Sequence, residues 1–298
     1  MYPARFDYLK VDSFASATAA LLRAGAGAKV LAGGQTLIPM LKLRLVKPEL
    51  IIDLGGIPGG SDVAVDERAI EIGALARHAE IGRSAALREF PVIGDCALGI
   101  ADTQVRNMGT IGGSLAEADP CSCWPALLVA LDGEVLLEGP EGGRVMKVRD
   151  LLADAYTPNL AEAELITRVV LRRASLAGTG TFVAFKRAAP SYPTASCALQ
   201  VMFDGDRIGR VYLGFGCLGL TPLAFDQAND MAAGRVVTEN LVDDIAQAAS
   251  EFVEPIEDNK GSEAYKRSLA RGLVIRAFEI VNARRAGNVA PETHSYYG

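Results

Sequence analysis

Thr110-Ile111-Gly112-Gly113-Ser114 is the most informative stretch of this sequence, together with the similar stretch Ala32-Gly33-Gly34-Gln35-Thr36. Each is a pair of glycines flanked by hydroxyl or amide side chains. Glycine lets the main chain approach a ligand closely, because it has no Cβ and tolerates a positive φ. Successive exposed N–H groups in such a loop form a concave site for an anion such as a phosphate. The two stretches therefore predict that one pyrophosphate of a dinucleotide is held from two sides.

Composition and charge restrict the class of protein. The chain has 298 residues, of which 50% are hydrophobic, enough for two domains of ordinary size with substantial cores. Its 30 basic and 36 acidic residues give a net charge of −6, which argues against a nucleic-acid backbone as the main partner. Apolar runs such as residues 126–131 are too short to cross a membrane, and residues 1–6 lack the apolar part of a signal peptide.

Residues that commonly carry catalysis are scarce. The five cysteines include no Cys-x-x-Cys pair, so we expect reduced thiols in a cytoplasmic protein. Cys121 and Cys123 alone cannot supply the four ligands of an iron–sulfur cluster. Of the two histidines, His78 is expected at the surface or at a helix cap, and His294 in a mobile tail. The lack of a metal-ligating cluster or a catalytic triad is typical of a protein whose chemistry belongs to a cofactor.

The hydrophobic pattern predicts an α+β fold in two lobes. Residues 1–60 show the order β-α-β-loop-α-β, with the second helix over 37–45. A Gly- and Pro-rich stretch then marks the boundary between two subdomains. The best linker lies near residue 177, and in the second lobe Asp204-Gly205-Asp206 is a strong hairpin signal. The predicted boundaries are 1–57 and 58–177 for the two subdomains of a domain over 1–177, 178–287 for the C-terminal lobe and 288–298 for a tail.

One further glycine motif matches the sequence pattern of a dinucleotide-binding fingerprint. Gly214-Phe215-Gly216-Cys217-Leu218-Gly219 matches G-x-G-x-x-G, but a lone match is weak without its structural context. The strand before it is the second arm of a predicted hairpin, and Leu220-Thr221-Pro222 is a poor start for the helix that the fingerprint requires. We therefore interpret it as a glycine-rich strand end.

Taken together, several motifs resemble the FAD-binding medium subunit of the molybdenum hydroxylases, the family of xanthine dehydrogenase and carbon monoxide dehydrogenase. The resemblance covers nearly the whole chain, and the two glycine loops in this order are its most specific part. The motifs are Phe6-Asp7-Tyr8, residues 32–40 with Pro39, residues 106–115 beginning Arg106-Asn107, Ala118-Asp119-Pro120, Trp124-Pro125-Ala126, Phe185-Lys186-Arg187 and Ala264-Tyr265-Lys266-Arg267.

The resemblance implies a vanillyl-alcohol-oxidase-type fold, in which two α+β subdomains bind FAD, followed by a C-terminal lobe of the CO dehydrogenase flavoprotein type. It also implies which residues bind FAD. The first glycine loop and its continuation would hold the pyrophosphate through Ala32, Gly33, Gly34, Gln35, Thr36 and Leu37, and the second through Thr110, Ile111, Gly112, Gly113 and Ser114. Asp119 would approach the ribose and phosphates, Leu165 or Ile166 would border the isoalloxazine, and Lys186 and Tyr192 would approach the flavin from the second lobe. For Leu165 and Ile166 ordinary core packing is an equal alternative, as is a surface position for Tyr192.

One residue departs from the family pattern. Relatives often carry an aspartate directly before the Trp-Pro pair, and this chain has Cys123 there. In the family that aspartate is thought to hold a ribose hydroxyl, and a thiol is a much weaker acceptor. The resemblance therefore implies that part of the FAD affinity comes from elsewhere.

The implied function is electron transfer. The substrate would be oxidised at a molybdenum cofactor on a large partner subunit, and electrons would pass through [2Fe-2S] clusters on a small partner to FAD on this chain and on to an external acceptor. The expected assembly is a dimer of heterotrimers. Three other functions stay open: a self-sufficient FAD oxidoreductase with its own substrate pocket, a nicotinamide dehydrogenase that uses residues 214–219, and a binding protein without a redox role.

Overall fold

The computed structural model describes residues 2–296. Its first subdomain has a three-stranded parallel sheet in the order β1-β3-β2. The elements are β1 (Asp7–Lys10), α1 (Phe14–Ala24), β2 (Ala28–Leu31), α2 (Leu37–Lys42) and β3 (Leu50–Asp53). The Ser13 hydroxyl begins α1 by accepting the Ser16 N–H at 3.2 Å. The predicted order β-α-β-loop-α-β is confirmed.

Helix α2 is shorter than predicted. The pattern over residues 37–45 predicts one helix, but α2 ends at Lys42. Arg44 adopts a left-handed conformation with φ of 58°, which an α-helix cannot continue through. The end of the predicted helix is therefore a turn.

The second subdomain has a five-stranded antiparallel sheet in the order β4-β5-β10-β6-β7 and a short two-stranded sheet of β8 and β9. The strands are β4 (Val63–Val65), β5 (Ala69–Gly73), β6 (Glu134–Gly139), β7 (Gly142–Lys147), β8 (Leu152–Asp154), β9 (Thr157–Pro158) and β10 (Leu165–Arg172). The helices are α3 (His78–Arg83), α4 (Pro91–Gly99), α5 (Thr103–Arg106), α6 (Ile111–Glu117), α7 (Cys123–Ala130), α8 (Val148–Leu151) and α9 (Arg173–Leu176). Every residue of α7 is buried, as expected of a helix that is apolar on all sides.

The C-terminal lobe has a five-stranded sheet in the order β14-β13-β12-β11-β15. Its elements are β11 (Thr179–Lys186), β12 (Pro193–Asp204), β13 (Arg207–Gly216), β14 (Leu223–Ala224), α10 (Gln227–Ala232), α11 (Glu239–Phe252), α12 (Glu263–Arg285) and β15 (His294–Tyr296). Strands β12 and β13 form the predicted hairpin. The fingerprint-like glycines end β13, which pairs with β14, so their interpretation as a strand end is confirmed.

The two lobes share a hydrophobic core across this sheet. Side chains of a strand point alternately to its two faces. In β11, Phe182 and Ala184 pack with the helices and sheet of the second subdomain, whereas Val183 packs with the core under α11 and α12. Helices α4 and α7 lie against strands of this sheet, which fixes the first domain against the C-terminal lobe.

Part of the predicted tail is ordered structure. Strand β15 pairs in parallel with β11. His294 in β15 is buried, and the centre of its ring lies 6.3 Å from that of Phe182. The tail sequence has too few apolar residues to predict this strand. Its pairing depends on the free edge of β11, which exists only in the folded sheet. Residues 297 and 298 of the predicted tail lie outside the described residues.

Candidate cofactor-binding site

A cavity of about 1020 Å³ lies between the two subdomains and the C-terminal lobe. All but two of the predicted site residues line it: Ala32, Gly33, Gly34, Gln35, Thr36, Leu37, Thr110, Gly112, Gly113, Ser114, Leu165, Ile166, Lys186 and Tyr192. The structure thus brings together two glycine loops that are far apart in the sequence. The size of the cavity is at the upper end for small-molecule sites.

The first glycine loop presents a row of open backbone amides. It connects β2 to α2, and its internal hydrogen bonds begin only with Ile38, whose N–H donates to the Gly34 carbonyl at 3.0 Å. Among the residues that the structure describes, no acceptor is bonded to the five N–H groups of residues 33–37. Gly34 has a φ of 72°, the left-handed conformation that favours glycine. This loop can therefore bind an anion through its main chain.

Gly33 is needed for a different reason. A Cβ added to it would lie 2.2 Å from the carbonyl oxygen of Met108, in the segment before the second glycine loop. The two loops thus contact each other directly at this point. Gly33 allows that close approach, and a larger residue would push the loops apart.

The second glycine loop does not form the expected row of free amides. Within residues 111–114, the Ile111 and Gly112 N–H groups donate to the carbonyls of residues 76 and 74, at 3.1 and 2.8 Å. The Gly113 N–H donates to Thr110 Oγ1 at 3.1 Å, and the Ser114 N–H donates to the Thr110 carbonyl. The expectation was wrong here because the loop forms the capped first turn of α6, whose donors are already paired.

Gly113 is nevertheless less enclosed than Gly112 and borders the cavity. A Cβ added to it would contact only Thr110 Oγ1, at 2.9 Å, whereas one added to Gly112 would collide with Ala74. Gly113 lines the cavity, so a side chain at this position would extend toward a bound ligand. This loop therefore contributes space for the ligand, because Gly113 has no side chain, and does not contribute free N–H groups.

His78 is buried on the cavity wall, so its prediction as a surface or capping residue was wrong. It is 5% exposed, and its Nδ1 accepts the Trp124 indole N–H at 3.0 Å. Burial, together with the nearby charge of Arg106, lowers the pKa of His78 to about 4. The neutral ring therefore carries its proton on Nε2, beside Gly109, and is a hydrogen-bond donor.

Two residues of the C-terminal lobe complete the wall. Lys186 is 1% exposed, and its ammonium donates a hydrogen bond to the Gly99 carbonyl. Burial lowers the pKa of Lys186. Tyr192 is 50% exposed at the edge of the cavity, with the Lys260 ammonium 5.8 Å from its ring centre. The cavity is therefore incomplete without the second lobe.

Two predicted residues lie elsewhere. Ile111 is fully buried in the core of the second subdomain. The Asp119 carboxylate accepts the Cys121 N–H at 2.8 Å and so shapes the turn before α7. Neither residue lines the cavity, because each side chain is directed into the protein's own packing or hydrogen bonds.

Cys123 does line the cavity, at the first residue of α7. It is 5% exposed, and burial raises the pKa of its thiol to about 11. At neutral pH the position that departs from the family pattern therefore holds an uncharged thiol.

Two acidic residues on the wall, Glu117 and Glu164, are not among the predicted site residues. Glu164 is 8% exposed and binds Arg144 through both carboxylate oxygens, at 2.6 and 2.8 Å. This pairing lowers the pKa of Glu164, whereas burial raises the pKa of Glu117. Glu164 directly precedes the predicted Leu165 and Ile166, and that adjacency was the available signal.

Comparisons with known proteins agree with this geometry. Residues 4–172 match the family "FAD binding domain in molybdopterin dehydrogenase", and residues 180–281 match "CO dehydrogenase flavoprotein C-terminal domain". The chain is 34% identical to the carbon monoxide dehydrogenase medium chain of Afipia carboxidovorans, over 95% of this chain and 99% of that one. It is 33% identical to the glyceraldehyde dehydrogenase medium chain of Sulfolobus acidocaldarius, over 94% of this chain and 100% of that one.

The fold comparison gives the same result. The structure of carbon monoxide dehydrogenase from Hydrogenophaga pseudoflava includes a chain that superimposes with a TM-score of 0.91 and 32% identity, covering 95% of this chain and 99% of that one. Both glycine loops and most of the C-terminal lobe lie within the matched regions. The chain therefore belongs to the family of FAD-binding medium subunits of molybdenum hydroxylases.

Proposed function

We propose that this chain is the electron-transferring flavin subunit of a heteromeric molybdenum-dependent hydroxylase or dehydrogenase. One observation carries the proposal: the open amides of residues 33–37, Gly113, and the C-terminal residues Lys186 and Tyr192 all border a single cavity. The family matches end at residue 172 and resume at residue 180, which supports a domain boundary near residue 177. The same cavity is thus built by both domains.

The residues present fit FAD. The unpaired amides of residues 33–37 suit the pyrophosphate, because backbone N–H groups in a glycine loop attract anions. His78 adds a neutral donor on the same wall, and Leu165 and Ile166 offer an apolar surface for a flat ring. The cofactor, when bound, supplies the redox chemistry. The chain's own part is to bind it, orient it and restrict access of water.

The partners are proposed from the relatives. Those relatives are named as medium chains of dehydrogenases, and we propose that this chain likewise binds a large subunit with a molybdenum cofactor and a small subunit with [2Fe-2S] clusters. A stable interface of this kind buries ~800 Å² or more of each partner. We further propose a dimer of heterotrimers in the cytoplasm, since closed two-fold symmetry is the commonest arrangement. None of the helices that the structure describes has the length and apolar character to span a bilayer.

Isolation of the tagged chain from its own host cells tests this proposal. We expect it to be recovered with two further polypeptides, one containing molybdenum and one containing iron and labile sulfide, and with FAD on this chain. Native mass spectrometry measures the subunit composition, and metal analysis measures the molybdenum and iron content. Recovery of a flavin-loaded homo-oligomer without these partners would contradict the proposal and favour a self-sufficient flavoenzyme.

A further inference from the structure

Outside the cofactor cavity, three segments bring two thiols and an ammonium group together. Cys121 precedes α7 in the first domain, Cys217 follows β13 in the second, and Lys260 lies in the turn of residues 258–261. The Lys260 ammonium is 3.7 Å from the Cys121 sulfur. The Cys217 N–H donates to the Pro120 carbonyl at 3.0 Å, so the two cysteine-bearing main chains are in direct contact.

The two thiols have unlike environments. Cys121 is partly exposed, whereas Cys217 is 8% exposed. A hydrogen bond from the Cys217 thiol and the charge of Lys260 lower the pKa of Cys121. Burial and the same hydrogen bond raise the pKa of Cys217. The other three cysteines are buried, and burial raises the pKa of each: Cys96, Cys123 and Cys197. Thiolate character and solvent access therefore coincide at Cys121.

We propose that Cys121 and Cys217 form a peroxide-reactive thiol pair that closes a disulfide between the two domains. The Cys121 thiolate attacks one oxygen of a hydroperoxide, the O–O bond breaks, and Cys121 becomes a sulfenic acid as hydroxide or alkoxide leaves. The Cys217 sulfur then attacks the Cys121 sulfur, an S–S bond forms, and the hydroxyl leaves as water with the Cys217 proton. The two sulfurs lose two electrons in total, and the peroxide gains them.

The disulfide would change the surroundings of the cofactor cavity. Lys260 also donates to the Pro193 carbonyl at 3.0 Å and lies over the Tyr192 ring. When Cys121 becomes a disulfide sulfur, Lys260 loses a sulfur partner that can carry a negative charge. The position of the Lys260 ammonium against Tyr192 and Pro193 at the cavity edge would then change. The bond would also join the first domain to the C-terminal lobe, at a point that is independent of the linker near residue 177.

Treatment of the purified, flavin-loaded protein with a small excess of hydrogen peroxide tests the proposal. We expect two of the five thiols to disappear, the mass to fall by two hydrogen atoms, and peptide mapping to link Cys121 to Cys217. Dithiothreitol should restore both thiols. The three buried cysteines serve as internal controls and should stay reduced.

Three variants test the assigned roles. In Cys217→Ser, Cys121 should gain one oxygen atom and react with dimedone; in Cys121→Ser, the same dose of peroxide should consume no thiol. Lys260→Met should slow oxidation by roughly tenfold, since a nearby cation stabilises the thiolate, and Lys260→Arg should retain most of the rate. Cys121 that stays reduced in the wild type, or that links to a cysteine other than Cys217, would overturn the proposal. Because the mapping uses the wild-type protein, this result does not depend on how the variants fold.

Discussion

Gly33 and Gly113 occupy similar motifs but have different roles. At Gly33 an added Cβ would collide with the Met108 main chain, so this glycine serves the contact between the loops. At Gly113 an added Cβ would meet only the Thr110 hydroxyl. The motif alone could not distinguish these roles, because the identity of the neighbouring atoms depends on how the loops meet in the folded chain.

The difference between these glycines gives a prediction. Gly113→Val should lower the free energy of unfolding of the cofactor-free protein by about 1 kcal/mol, the scale of a disturbed helix N-cap, because its Cβ would lie 2.9 Å from the Thr110 hydroxyl. It should also lose most of the bound FAD, whose space the isopropyl group would enter. Gly33→Val should lower both stability and FAD content. Flavin-to-protein ratio and urea unfolding measure these effects; a Gly113→Val protein with full flavin content would contradict the assigned role.

Cys123 gives a second prediction at the same scale. Its thiol lines the cavity at the position where the family resemblance implies an aspartate. Cys123→Asp should tighten FAD binding by about 1 kcal/mol, the scale of one charge-assisted hydrogen bond. Cys123→Ser, which keeps the size without the charge, is the matched control and should change the affinity much less. Fluorescence titration of the cofactor-free protein measures both, and equal or weaker binding by Cys123→Asp would show that this position does not contact the ribose.

The two buried histidines should make the free energy of unfolding depend on pH. Burial lowers the pKa of His78 and of His294 to about 4 from an ordinary value of 6.5. As the pH falls below 6.5, the histidines of the unfolded chain become protonated, whereas those of the folded chain stay neutral until about pH 4. The free energy of unfolding is therefore highest at neutral pH and decreases between pH 6.5 and about pH 4. The loss should be roughly 2 kcal/mol per histidine at about pH 5.

Urea unfolding at neutral pH and at about pH 5 checks this prediction. Since the chain contains only two histidines, the double variant His78→Gln/His294→Gln should lose most of the dependence, whatever its baseline stability. An equally steep loss in the double variant would assign the effect to other groups.

Among the secondary-structure elements, the sequence pattern predicted those whose formation depends on neighbouring residues in the chain. The hairpin at residues 204–206 and the first β-α-β order follow from turn residues and hydrophobic periodicity. The early end of α2, the strand β15 and the closed amides of the second glycine loop could not be predicted in this way. Strand β15 pairs with β11, and Gly112 bonds the Ala74 carbonyl, so both depend on partners far away in the sequence. The end of α2 is local: Arg44 is left-handed, its N–H donates to the Leu41 carbonyl, and the Leu45 N–H donates to the Met40 carbonyl. It could not be predicted because the glycine that usually marks such an end is absent.

Helix α12 is joined to α4 by an ion pair that is mostly buried. Arg284 binds both oxygens of Asp95, at 2.7 and 2.8 Å, and Asp95 also accepts a hydrogen bond from Thr181 at the start of β11. Removing one partner of such a pair leaves a charge without compensation.

Arg284→Met should therefore lower the free energy of unfolding by about 3 kcal/mol. Arg271→Met is the matched control, because Arg271 lies on the same helix in an exposed pair with Asp243 and should cost less than about 1 kcal/mol. Chemical denaturation of both variants gives the comparison. Similar losses would contradict a structural role for the α4–α12 connection.

At the scale of the whole molecule, the cavity requires both domains. The glycine loops belong to the first domain, and Lys186 and Tyr192 come from the second. The family resemblance implied that these residues meet, and in the structure they line the same cavity. What the resemblance did not supply is how each is held: Lys186 by the Gly99 carbonyl, and the edge near Tyr192 by Lys260.

We propose that electrons reach the flavin of this chain from a partner subunit. Anaerobic stopped-flow mixing of the FAD-loaded chain with its iron–sulfur subunit, reduced beforehand with dithionite and freed of excess reductant, tests this most directly. We predict loss of the oxidised flavin absorbance together with return of the iron–sulfur absorbance. The flavin-loaded chain alone should stay oxidised in the presence of the organic substrates of the complex. Failure of the reduced partner to bleach the flavin, or rapid reduction of the isolated chain by such a substrate, would contradict electron transfer from a partner subunit.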